Sequence, residues 1–197
     1  MEISAASIKR LREETGAGVL DCRKALEACG GDAEKAKAWL KEKGLASAAK
    51  KTDRVAADGL VGSYIHHNHR IAVLVEVNCE TDFVARTEGF KTLTQNIAKH
   101  IAMANPQYIK PEEVPGEKIS EIRHEVRNQA VAAGTSDDVI DRTVEKKLET
   151  FYKENCLLSQ PYALDEKVTI GDMITQAIAD LKENIVVRRF VRYELGA

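Results

Sequence analysis

Between Ile71 and Arg86 the sequence changes its periodicity, and that change constrains the fold more than any other stretch of the chain. Ile71, Val73, Val75 and Val77 alternate with other residues, the two-residue period of a half-buried strand. The alternation stops at Asn78. Glu80, Thr81 and Asp82 follow, and a side-chain oxygen at Thr81 or Asp82 can cap a new helical turn by accepting a backbone N–H. Phe83 then falls on a strand-to-helix corner, where a large aromatic has few neighbours to bury it. Most Phe residues fold back into a core. The alternative is a rigid tip that presents a carboxylate and an aromatic wedge to a partner.

Upstream of this corner the period is helical. Ser4 can cap a helix with Ala5, Ile8 and Leu11 on its apolar face, stopping at Thr15-Gly16. A second helix begins near Gly18, with Val19, Cys22, Ala25, Leu26 and Cys29 in register, and Gly30-Gly31 ends it. Asp32 caps a third, with Ala33, Ala36 and Leu40 inward and Gly44 just past its end. Residues 1–45 thus predict a compact three-helix bundle. Leu20 falls beside the buried stripe and is expected to be exposed, with Val19 partly buried. Residues 46–58 are rich in Ala and Lys without a strong apolar face. They read as a linker with some helix, its Lys50-Lys51 pair solvated.

Residues 59–197 predict a mixed core. Strands near Leu60–His66 and Arg70–Val77 are joined through His67-Asn68-His69. Adjacent strand residues point to opposite faces, so this histidine run reads as a polar hairpin tip rather than a metal site. Thr87 can cap a helix carrying Phe90, Leu93, Ile97, Ile101 and Ala104, broken by Asn105-Pro106. Pro111 and Pro115 bracket a loop. Ile119, Ile122, Val126, Ala130 and Ala133 then stripe one long helix, and Ile140, Val144, Leu148 and Phe151 stripe another beyond Gly134-Thr135-Ser136. Residues 117–155 are therefore expected to form an antiparallel helical hairpin. Leu157 to Leu164 should return to the core as an extended segment. Thr169 can cap a last helix with Ile170, Ile174, Ala177, Ile178 and Leu181 inward. Ile185–Leu195 ends the chain as a strand, with Arg188, Arg189 and Arg192 on a solvated or interface face. The class is α+β: three antiparallel strands covered by helices.

Composition removes several function classes. The 197 residues are 44% hydrophobic, enough for one core plus a small second domain, and carry a net charge of −2. A phosphate-backbone binder would carry a basic stripe instead, so no direct nucleic-acid partner is expected. No apolar run approaches the ~20 residues of a membrane span, and no signal peptide opens the chain. Cys22, Cys29, Cys79 and Cys156 lack C-x-x-C spacing, which points away from zinc and redox motifs and fits a reducing compartment. Hydrolase, zinc-protease and P-loop signatures are also missing. Catalytic residues, a bound metal and a cofactor are therefore not expected.

Thr81-Asp82-Phe83-Val84, preceded by Val77-Asn78-Cys79, resembles the hallmark of the elongation factor Ts family. Further matches follow in family order. They are Thr15 to Leu26, Ala56-Ala57-Asp58-Gly59, Gln160-Pro161-Tyr162 and Phe190-Val191-Arg192-Tyr193-Glu194. The resemblance implies an exchange factor that binds elongation factor Tu, both GDP-bound and nucleotide-free, in the cytoplasm or an equivalent organellar compartment. It implies a ubiquitin-associated-like N-terminal bundle that meets the partner's nucleotide-binding domain through Val19 and Leu20, with Arg12 a weaker contact. It assigns Thr81, Asp82, Phe83 and Val84 to dislodging Mg²⁺ from elongation factor Tu, and likens the hairpin to the family's protruding coiled coil. Long members carry two related core subdomains; this chain has strands for one. Its Gly62-Ser63-Tyr64 hairpin resembles the second copy, and Asn78 to Arg86 the first. Pairing of two chains through their sheets would restore a two-core body, so a homodimer is expected. The competing reading is a ubiquitin-associated-type adaptor without exchange activity, which leaves the Thr81–Val84 corner unexplained.

Overall fold

The computed structural model describes residues 3–15, 17–132 and 136–197. The expected helix stop at Gly16, the end of the stripe at Ala133 and the turn at Gly134-Thr135 lie outside the described residues. In chain order the elements are α1 (Ala5–Thr15), α2 (Val19–Ala28), α3 (Ala33–Ala49), β1 (Asp58–Ile65), β2 (Ile71–Cys79) and α4 (Asp82–Ala85). Then come α5 (Glu88–Ala104), α6 (Gly116–Ala132), α7 (Asp137–Asn155), β3 (Pro161–Tyr162), β4 (Asp165–Thr169), α8 (Ile170–Leu181) and β5 (Val186–Glu194). Two compact units share them. One comprises Met1–Gly59, Asn78–Phe90 and Ile174–Val186, the other Leu60–Val77, Lys91–Met173 and Val187–Ala197.

The first unit contains the three N-terminal helices. Ser4 Oγ accepts from the Ser7 amide at 3.1 Å, capping α1 as its sequence foretells. The amides of Gly30 and Gly31 return to the carbonyls of Glu27 and Leu26 and close α2. Asp32 accepts from the amides of Glu34 and Lys35 at the head of α3. Leu11, Cys22, Ala25, Leu26 and Ala36 form the core, flanked by Trp39 and Leu40.

Four expectations fail in this unit, the first being Ala33, which is exposed in the first turn of α3 and not inward. Gly44 does not end α3, which runs on to Ala49. A Cβ at Gly44 would stand 3.2 Å from that of Ala179, so the glycine admits a neighbouring helix instead of stopping its own. Lys51 is not solvated. It is only 6% exposed, and its Nζ donates to the carbonyl and hydroxyl of Ser47. Val19 is not partly buried but 48% exposed, at the first position of α2 where the connection from α1 ends.

The second unit is built on the sheet β1-β2-β5. His66 N donates to Ile71 O, and Leu195 N donates to Arg70 O. Arg189 pairs with Glu76 at 2.7 Å, so the three strands run antiparallel. Helix α5 covers one face closely: a Cβ at Gly62 would fall 2.5 Å from Thr94 Cγ2. The opposite face shows exposed Val61, Ile65, Leu74, Val191 and Tyr193. Helices α6 and α7 zip through Ile122, Val126, Ile140, Val144 and Leu148, with Arg127 bonded to Asp141 at 2.8 Å. The segment after α7 is not simply extended. It makes a 3₁₀ turn at Leu157–Ser159 and then pairs β3 with β4 in a second sheet that the sequence does not announce, since two residues cannot display an alternation.

Gln160-Pro161-Tyr162 has a packing role in this unit. Gln160 is buried, its Oε1 lies 2.9 Å from His100 Nε2, and its Nε2 donates to the Glu154 carbonyl. His100 Nδ1 accepts from the Ala163 amide, so the ring is neutral with its proton on Nε2. Burial holds the His100 pKa below the ordinary value of 6.5, and the Gln160 bond opposes that shift only in part. The unfolded chain therefore binds the proton first as pH falls, and stability is lost below about 6.5. Thermal melts at pH 7 and pH 5 should show this loss, and His100→Gln should shrink it. An equal loss in both proteins would exclude His100 as its source.

Candidate functional site

The corner forms because two short-range rules meet at Thr81. Strand β2 keeps its inward residues Val73, Val75, Val77 and Cys79 fully buried. Thr81 then takes extended backbone angles, and its hydroxyl accepts from the Val84 amide at 3.4 Å as the N-cap of α4. Of the two candidate caps, it is Thr81 and not Asp82 that serves. Helix α4 is a single turn, so its four side chains point to different sides. Val84 and Ala85 turn inward and are buried, whereas Phe83 is 78% exposed. Asp82 also faces solvent, where its carboxylate meets Arg86 Nη2 at 2.7 Å. An exposed pair of this kind adds little stability, and the carboxylate remains available to a partner.

Behind the tip lies a polar network that ties residues 80–81 to residues 183–184. Glu183 Oε2 accepts from the amides of Glu80 and Thr81, both at 3.0 Å, and its Oε1 accepts from the Thr81 hydroxyl at 2.6 Å. Glu80 Oε1 accepts from the Asn184 amide at 2.7 Å and faces Arg54 Nη1 at 3.5 Å. Asn184, itself buried, donates through Nδ2 to the carbonyls of Thr52 and Arg54. Cys79 Sγ donates to the Thr81 carbonyl at 3.2 Å. Burial, with the Glu183 charge adding to it, pushes this thiol up to about 11. Cys79 is thus a packing residue and not a nucleophile.

The other candidates stand on the bundle. Arg12 is exposed in the last turn of α1, and Leu20 is 71% exposed in the first turn of α2 beside Val19. Among the described residues, the corner's polar contacts bring together Arg54, Glu80, Thr81, Glu183 and Asn184 and include none of these three. Sequence reasoning missed Glu183 and Asn184. What marks the place is a helix end: Lys182 adopts φ 65, a left-handed turn that closes α8. Among the described residues, no group of three or more His, Cys, Asp or Glu is placed to hold a metal ion. Also among the described residues, no helix is long and apolar enough to cross a membrane.

Comparison with known proteins places this chain in a family. A sequence model described as elongation factor TS matches residues 33–197. An elongation factor Ts from Coprothermobacter proteolyticus is 56% identical over 196 residues, covering 100% of both chains. One from Fervidobacterium nodosum is 54% identical over 196 residues, again covering 100% of each. One from Heliobacterium modesticaldum is 54% identical over 194 residues, covering 98% of this chain and 90% of the relative.

Proposed function

The chain belongs to the elongation factor Ts family, and from that membership we infer how its corner and bundle act on elongation factor Tu. The protein is a translation elongation factor that promotes exchange of GDP for GTP on elongation factor Tu. It makes and breaks no covalent bond in this role. The adaptor reading is not favoured.

The finer reading assigns two contacts. Asp82 and Phe83, held by Thr81 and the inward Val84, enter beside the partner's nucleotide site. There they displace its supporting groups and dislodge the partner's Mg²⁺. The bundle, read as ubiquitin-associated-like, engages the nucleotide-binding domain through Val19 and Leu20, with Arg12 at the margin. Binding is reciprocal: the factor by which this protein weakens GDP is the factor by which nucleotide weakens its own grip. The setting is the cytoplasm or an equivalent organellar compartment. The observation that supports the assignment is Phe83, a large aromatic left 78% exposed on a capped corner. Release of labelled GDP from purified elongation factor Tu, with and without this protein, tests it. Unaccelerated release would remove the exchange reading and restore the adaptor.

A homodimer is part of the same reading. Val61, Ile65, Leu74, Val191 and Tyr193 share the sheet face opposite α5, an apolar patch of the kind that marks an interface. Light scattering across a dilution series should give a dimer mass, and Leu74→Lys should give half of it. A monomer mass for the parent at micromolar concentration would overturn the dimer.

A further inference from the structure

A one-turn helix cannot hold its own direction. Helix α4 is four residues long, far below the length at which a helix is stable in isolation. Its outermost side chain, Phe83, touches too little of the fold to anchor it. The buried Val84 and Ala85 seat the turn from within, and what fixes its angle must come from outside it. Two side chains do so from the segment between α8 and β5.

We propose that Glu183 is the positioning residue of the Asp82–Phe83 tip, and that Asn184 and Glu80 lock it in place. The proposal rests on the reading that this tip acts on elongation factor Tu. One Glu183 carboxylate takes the amides of Glu80 and Thr81 and the Thr81 hydroxyl. Charge-assisted bonds to two successive backbone amides fix the angle at which the strand turns into α4, and the bond to the hydroxyl orients the N-cap itself. A return bond runs from the Asn184 amide to Glu80 Oε1, closing a ring of side chain and backbone. The left-handed turn at Lys182 redirects the chain at the end of α8, immediately before Glu183. Asn184 also grips the carbonyls of Thr52 and Arg54, so the residues that leave α3 are tied to the same ring. The segment read from sequence as a linker, residues 46–58, is thus clamped in its middle.

Glu183 is only half-buried and fills no core. Its removal should therefore loosen the tip without unfolding the protein, and a loosened tip must be ordered again each time it enters the partner.

The test is GDP release from elongation factor Tu over a concentration series of the full chain, which separates maximal rate from half-saturating concentration. Glu183→Ala should lower the maximal rate about tenfold, the effect of one charge-assisted hydrogen bond. Its melting temperature should stay near the parent's, while the Glu80 and Thr81 amides exchange faster with deuterium. Glu183→Gln should recover most of the rate, because its amide oxygen still accepts from both backbone amides. The double variant Phe83→Ala/Glu183→Ala should be no slower than Phe83→Ala alone, since both act through one tip. Should Glu183→Ala fail to fold, Glu183→Asp is read the same way: its carboxylate is drawn back by one methylene and keeps its charge. A parent-like rate for Glu183→Ala beside a slow Phe83→Ala would overturn this inference alone, as would additive losses in the double variant. A parent-like rate for Phe83→Ala would overturn the wedge reading, and this inference with it.

Discussion

Phe83→Ala should melt where the parent melts and release GDP from elongation factor Tu roughly thirtyfold more slowly. The first half follows from exposure. A side chain 78% open to solvent supports little packing, and substitutions at such positions usually shift stability by no more than about 0.5 kcal/mol. The second half follows from the energetics of aromatic anchors, which carry about 2 kcal/mol or more when they enter a partner's pocket. Asp82→Ala should behave alike and more mildly, because Thr81 caps α4 and the Asp82–Arg86 pair is exposed. Thr81→Ala, in contrast, should lose about 0.5–2 kcal/mol as a cap. Melting curves and GDP release on the same preparations check all three. A strongly destabilised Phe83→Ala whose folded fraction exchanges normally would return Phe83 to the core.

Phe90→Ala should do the reverse. Phe90 has no exposed surface and opens the apolar face of α5, which continues through Leu93, Ile97 and Ile101. Truncating a fully buried Phe costs about 3–5 kcal/mol through lost transfer energy and the cavity left behind. Marginal folds have only about 5–15 kcal/mol in total. The variant should therefore melt at a distinctly lower temperature, while its folded molecules exchange at the parent rate. Denaturant titration beside GDP release decides it. A loss below about 1 kcal/mol would mean that the site collapses around the missing ring.

These two rings lie on the same stretch of sequence, and only the local pattern separates them. Phe90 belongs to a helical stripe, which sequence displays directly. Phe83 sits where one period has ended and the next has not begun, and its exposure was legible for that reason. The caps at Ser4, Asp32, Thr87 and Thr169 were legible too, because a short oxygen side chain before an apolar stripe has few other uses. Gly44 misled because a glycine that ends a helix and one that admits a neighbour look alike until the neighbour, Ala179, is known. Lys51 misled in the same way, since nothing beside it in sequence signals its burial. Glu183 and Asn184 escaped notice for a related reason. Their partners at residues 80–81 and 52–54 are distant in the chain, and a polar turn carries no mark of what it will hold.

The α6–α7 hairpin satisfies its own seam: Ile122 and Val126 on one helix meet Ile140, Val144 and Leu148 on the other. Its energy balance is accordingly local, and its length is a free variable. A heptad added to both helices extends the same apolar seam by about two turns, and a heptad removed shortens it, without asking any other layer of the fold to repack. An arm of this kind can be lengthened, shortened or exchanged among descendants of one ancestor while the Thr81–Val84 corner stays under separate selection.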